Sequence, residues 1–142
     1  GTGQLERIEE IVSKRKKIGK MFLQATSGFD WFIPQAIPKD CTHSYYTFSV
    51  DYRGHERFGV SWKEFYDRYL NLGGDGFYAI VAIPYNEPAL AGKTFGSTKC
   101  LPGLCPISEG LQDRVMCFKT NYRDLEEAQK KVDILVKLLR SL

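Results

Sequence analysis

The chain has 142 residues, of which 43% are hydrophobic and 26% charged, with a formal net charge of +3. That is apolar material for one core, so a single domain over residues 1–142 is expected. The basic residues are interleaved with acids except at "KRKK", Lys14 to Lys17, on a stretch that also carries Glu6, Glu9 and Glu10; a solvated helix face accounts for that run, and nucleic acid is not an expected partner. No apolar run approaches the roughly 20 residues that span a bilayer, and Pro84 interrupts the longest, so no membrane partner is expected either.

In chain order, Leu5, Ile8, Ile11, Val12, Ile18 and Phe22 recur near the helical period and predict an amphipathic helix that stops by Gly28. The segment "DWFIPQAIPKD" reads as a loop, because Pro34 and Pro38 each remove a backbone donor. From His43 to Tyr52 the sequence alternates, with Tyr46, Phe48, Val50 and Tyr52 on one face and Tyr45, Thr47, Ser49 and Asp51 on the other, as in a half-buried strand. Ser61 opens a second helix with Glu64 at the capping-box position, and Trp62, Phe65, Tyr66 and Tyr69 supply its apolar stripe. Gly73 and Gly74 end it, and "FYAIVAI", Phe77 to Ile83, reads as a strand buried on both faces.

Glu87 to Pro106 shows no periodicity and reads as a long loop; a short helix from about Pro106 to Cys117 and an extended piece from Phe118 to Tyr122 follow. Asp124 caps the last helix, with Glu127 at the matching box position and Leu125, Ala128, Val132, Leu135, Leu139 and Leu142 on a seven-residue rhythm. The expected architecture is an α+β, two-layer small domain, with helices packed on a small, mostly antiparallel sheet.

No complete catalytic constellation emerges from the residues. A dinucleotide fingerprint needs its glycines between strand and helix, whereas "GGDG" at Gly73 to Gly76 follows a helix and precedes a strand, which makes it a cap and turn. "AGKT" at Ala91 to Thr94 ends like a phosphate loop but has Glu87 where that motif demands glycine. Cys41 with His43, and Cys100 with Cys105, lack strong zinc spacing, so no metal ligands are assigned. With no signal peptide in view, the four cysteines are expected as reduced thiols of a cytoplasmic protein. His43 reads as a satisfied structural histidine, and His55, in "RGHER", as a solvent-facing loop residue.

Taken together, "GTGQLERIEEIVSKRKKIG", "HSYYTFSVDY", "GGDGFYAIVAIPYNEPAL" and "CPISEGLQDRVMCFKTNYRDLEEAQKKVDILVKLL" resemble the C-terminal region of the DegT/DnrJ/EryC1/StrS family of pyridoxal-phosphate-dependent sugar aminotransferases. The resemblance covers essentially the whole chain: a Gln-Leu-Glu helix with a basic turn, a His-Ser-Tyr strand, a strand leading to an aromatic residue and a proline loop, and the "TNYRDLEEA" tail. It implies a C-terminal small domain whose large cofactor-binding domain is absent, since in this family the Schiff-base lysine lies before the Gln-Leu-Glu helix. No lysine here is therefore assigned as catalytic, and no pyridoxal phosphate is expected on this chain alone, which should be inactive and, with apolar surface bared, self-associating. The resemblance further implies a parent enzyme, homodimeric, that passes an amino group from a donor such as glutamate to a nucleotide-linked keto sugar in polysaccharide or related sugar biosynthesis. By position, "IPYNEP" would approach the substrate, with Tyr85 stacking or using its hydroxyl and Asn86 contacting a sugar hydroxyl. Where the family commonly has a His-aromatic pair, this sequence has Pro84 then Tyr85. The alternative is a stand-alone, non-catalytic binding or regulatory module of the same fold.

Overall fold

The computed structural model describes residues 1–79 and 82–142. A one-turn helix α1 (Thr2–Leu5) leads into α2 (Ile8–Thr26), then β1 (Phe32–Pro34), β2 (Thr47–Tyr52), α3 (Gly54–Phe58), α4 (Trp62–Asn71) and β3 (Tyr78–Ala79). A small hairpin of β4 (Thr94–Phe95) and β5 (Thr98–Lys99) precedes α5 (Pro106–Leu111), β6 (Val115–Lys119) and α6 (Leu125–Leu139). The main sheet has the order β1-β2-β6-β3, antiparallel at every described pairing. Helices α2, α4 and α6 cover one of its faces, giving the two-layer α+β domain that the sequence predicts.

Register explains the layering. Phe48 pairs with Phe118 and Val50 with Met116, and these residues, with Phe32 and Tyr52, are buried against Ile18 and Phe22 of α2, Phe65 and Tyr69 of α4, and Ala128, Val132 and Leu135 of α6. Because strand side chains alternate, Ile33, Thr47, Ser49, Asp51, Cys117, Val115 and Lys119 fall on the opposite face, away from α2, α4 and α6, and are at most half-buried. Phe118 is the hub of the covered layer: its ring lies 4.7 Å from Phe77, 5.8 Å from Phe32 and Tyr69, and 6.0 Å from Phe22, centroid to centroid. Such aromatic pairs add about 0.5–1.5 kcal/mol each beyond simple burial.

The local signals hold where they are local. Asp124 accepts from the Glu127 amide at 2.8 Å, and Ser61 from the Glu64 amide at 3.2 Å. The Glu64 carboxylate does not close the expected box but pairs with Arg68 one turn on, at 2.6 Å. At the end of α4 the Gly74 amide donates to the Tyr69 carbonyl and the Gly73 amide to that of Leu70. Gly73, at φ +90°, is the left-handed residue this double closure requires.

Several expectations are corrected. The first helix is broken after Leu5, and both Leu5 and Ile8 are exposed, so the buried stripe of α2 begins only further along, with Ile18 and Phe22 fully buried. The alternation read from His43 to Tyr52 changes phase: Tyr45 is buried and Tyr46 is 75% exposed, the reverse of the expected faces. Tyr45 sits at φ +50°, so the strand begins only at Thr47. Its ring lies on Gly19 of α2, where a β-carbon would come within 2.3 Å of it, and Thr120 Oγ1 bonds the carbonyls of Tyr45 and Tyr46 at 2.5 and 3.0 Å. A strand appears at Phe32–Pro34 within the expected proline loop; Pro34 is tolerated because β1 is an edge. The expected helix from Pro106 to Cys117 stops at Leu111, and Val115–Lys119 is instead an interior strand, pairing with both β2 and β3. Of the expected strand from Phe77 to Ile83, the described part is β3 (Tyr78–Ala79), an edge strand with Tyr78 77% exposed and so not buried on both faces; Ile80 and Val81 lie outside the described residues. The Glu87 to Pro106 loop contains the β4-β5 hairpin, turned by Gly96 at φ +60°.

Candidate functional site

After β3 the chain turns at Pro84 into one turn of 3₁₀ helix, Pro84–Asn86, anchored by the buried Ile83. Tyr85 is half-buried and Asn86 exposed. The Tyr85 hydroxyl donates to Oε1 of Glu109 on α5 and accepts from the Cys105 amide at 3.1 Å. The same carboxylate accepts from the Gly103 amide at 2.7 and 2.9 Å. Gly103 is at φ +91°, where a side chain would be strained, and that turn aims its amide at Glu109. One carboxylate thus ties the 3₁₀ turn, the loop at 103–105 and α5 into a clasp. Loss of surrounding water and the Glu109 carboxylate push the Tyr85 hydroxyl up to about 12, while Tyr85 and the Gly103 amide hold Glu109 below its ordinary range.

Behind the clasp lies a cavity of about 570 Å³. Ala82, Ile83, Pro84, Tyr85, Leu90, Leu111 and Val115 form its apolar walls; Cys105, Ser108 and Gln112 are its other lining residues, and none of the ten is charged. The volume is in the range of small-molecule sites, about 300–1,000 Å³. Val115 also borders a shallow hollow lined by Ile33, Gln35, Ser49 and Asp51, so the cavity opens alongside the sheet. Of the two residues singled out by the resemblance, Tyr85 lines this cavity, whereas Asn86 is exposed next to it and is not part of the lining. Glu109 and Gly103 were not singled out: the partners are 24 and 18 residues from Tyr85 in sequence, and neither belongs to a local motif.

The remaining candidates have structural surroundings. His43 Nδ1 accepts from the Tyr45 amide at 2.9 Å and its ring meets the Tyr45 ring edge-on. His55 is exposed, on α3 instead of in a loop. Gly92 of "AGKT" is at φ +75° and leads into β4. In "KRKK", Lys14 donates to the Arg123 carbonyl at 3.1 Å and the Arg15 guanidinium lies over Tyr46. The four cysteines are free thiols, and among the described residues no group of three His, Cys, Asp or Glu is placed to hold a metal ion. No helix among them is long and apolar enough to cross a membrane.

A charged cluster stands apart from the cavity. Asp75 pairs with Lys119 and Lys131, each at 3.2 Å, and Lys119 lies over the Tyr122 ring. Burial pushes the Asp75 carboxyl up, but hydrogen bonds from Lys119, Lys131 and Tyr122 together outweigh it and hold the group below its usual range. These contacts join the turn after α4 to β6 and α6.

The fold defines the class, a small α+β domain whose antiparallel sheet is packed on one face by α2, α4 and α6. No family model and no curated protein matches the sequence. Solved structures match the fold. S. venezuelae DesV, in complex with a ketimine intermediate, superposes with a TM-score of 0.76 at 14% identity, over 98% of this chain and 34% of its own. The aminotransferase TlmJ from Streptoalloteichus hindustanus gives 0.75 at 21% identity, over 99% and 35%. Helicobacter pylori PseC, an aminotransferase involved in the biosynthesis of pseudoaminic acid, gives 0.72 at 14% identity, over 100% and 36%. The chain spans about a third of the length of these structures, and its fold is that of the C-terminal part of aminotransferase structures.

Proposed function

We propose that this chain is the small C-terminal domain of a pyridoxal-phosphate-dependent aminotransferase acting on a nucleotide-linked keto sugar. The observation that carries the reading is the fold match over nearly the whole chain to aminotransferase structures, among them the sugar aminotransferase CalS13 from Micromonospora echinospora, together with a concave site beside the sheet. Tyr85 would supply an aromatic wall and Asn86, exposed beside it, a polar contact to the sugar.

The residues present do not fit the cofactor by themselves. A lysine that joins pyridoxal phosphate covalently must be desolvated or flanked by cations. Here Lys119 and Lys131 are paired with Asp75, Lys14 is held by a carbonyl, and no lysine lines the cavity. The cofactor, which supplies the electron sink for amino transfer when bound, would be held by another domain. The isolated chain would then be inactive, and apolar surface bared without that domain would favour self-association; light scattering that shows a strict monomer at all concentrations contradicts the latter.

Incubation of the chain with pyridoxal phosphate, borohydride reduction and peptide mapping tests the assignment. No specific label on residues 1–142 is expected. A stoichiometric label on one lysine of this chain overturns it.

A further inference from the structure

Resting on the reading above, we propose that the cavity behind Tyr85 takes an uncharged ring with an apolar face and a hydrogen-bonding edge, and does not take phosphate. Three observations lead there. The lining has no cation, and the walls formed by Ile83, Pro84, Leu111 and Val115 offer an anion nothing in place of water, which makes phosphate entry costly. The charge bonded to the lining residue Tyr85 is the Glu109 carboxylate, of the same sign as phosphate and already committed to Tyr85 and Gly103.

The second observation is the state of Tyr85. Its hydroxyl both donates and accepts within the clasp, so what it turns toward a ligand is the ring, a stacking surface. The third is what remains for polarity. Ser108 and Gln112, one turn apart around the end of α5, both line the cavity, and neither side chain bonds another described residue. A hydroxyl and a carboxamide match the edge of a neutral ring, donating and accepting without charge. Both the heterocyclic base and a deoxygenated sugar ring of a nucleotide sugar have this chemistry; the diphosphate between them does not.

Amide-detected NMR of the labelled 142-residue chain separates the sources, with uridine, methyl α-rhamnopyranoside and inorganic pyrophosphate as separate titrants. Saturable shifts at Cys105, Ser108, Leu111 and Gln112 are expected with at least one of the two rings and none with pyrophosphate; the ring that binds identifies the source. Ser108→Trp, at an exposed position where indole fills the mouth without entering the core, is expected to weaken binding at least about tenfold, and Gln112→Ala about fivefold, the equivalent of one hydrogen bond. Failure of both rings to shift these amides, equal shifts from pyrophosphate, or undiminished binding in both variants overturns the proposal. The titration needs neither cofactor nor amino donor, so it can fail while transfer by the parent enzyme stands, and succeed while transfer fails.

Discussion

Replacing Gly19 by alanine inverts the usual outcome of such an exchange. In a free helix face, Gly→Ala stabilises by about 1 kcal/mol. Here the new methyl would stand 2.3 Å from the Cγ and Cδ1 of Tyr45, the base of the ring, so a small swing of its far end gives no relief. The Tyr45 backbone cannot follow cheaply, since its carbonyl is held by Thr120 and its amide by His43. Displacing the 8%-exposed ring forfeits about 2–3 kcal/mol of burial, leaving a net loss of about 1–2 kcal/mol after the helical gain. Urea unfolding followed by the fluorescence of buried Trp31 should show the midpoint falling by roughly 0.5–1 M with an unchanged slope. In a Tyr45→Ala background the same exchange should stabilise by up to about 1 kcal/mol, and the difference between the two backgrounds is the coupling between the residues. Stabilisation by Gly19→Ala with Tyr45 present would refute the packing described for this turn.

Glu109→Gln should bring the Tyr85 hydroxyl down from about 12 toward its ordinary range, because an adjacent negative charge is removed; ring-carbon shifts of Tyr85 against pH report it. Glu109 is itself held low, so the clasp should persist above the ordinary carboxylate range and open as pH falls through the lowered one, with Gly103 amide exchange rising at the same point. Asp75→Asn should cost about 1 kcal/mol near neutral pH at low salt, and should flatten the acid side of the stability curve, since a lowered carboxyl contributes stability that disappears as pH falls through its folded value. Phe118→Ala removes the hub of the aromatic layer and should cost about 3–5 kcal/mol, measurable as a large fall in the denaturation midpoint.

What was legible in the sequence was what is decided locally. Asp124 and Ser61 cap their helices by bonds to amides three residues on, and Gly73 closes α4 within a single turn. Tyr45 was not legible, because its left-handed backbone is fixed by Thr120, 75 residues later, and by the absence of a side chain at Gly19. Five residues of "VMCFK" fit a helix as well as a strand; what makes them β6 is that Met116 and Phe118 meet Val50 and Phe48 across the sheet. Tyr85 was picked out by the resemblance of "IPYNEP" to its family counterpart, not by any local chemical pattern. The carboxylate that fixes it could not be picked out, since Glu109 comes from another helix and reads, within "PISEG", as an ordinary exposed acid.

The most direct test of the account is an amino-transfer assay on the product of the gene's full reading frame beside the 142-residue chain. Each would receive pyridoxal phosphate, glutamate and a panel of nucleotide-linked keto sugars, with the aminated sugar detected by mass spectrometry. Transfer by the full product, with none by this chain alone, is the expected result. Transfer by neither, with no cofactor retained by the full product, would contradict the assignment of this fold to an aminotransferase.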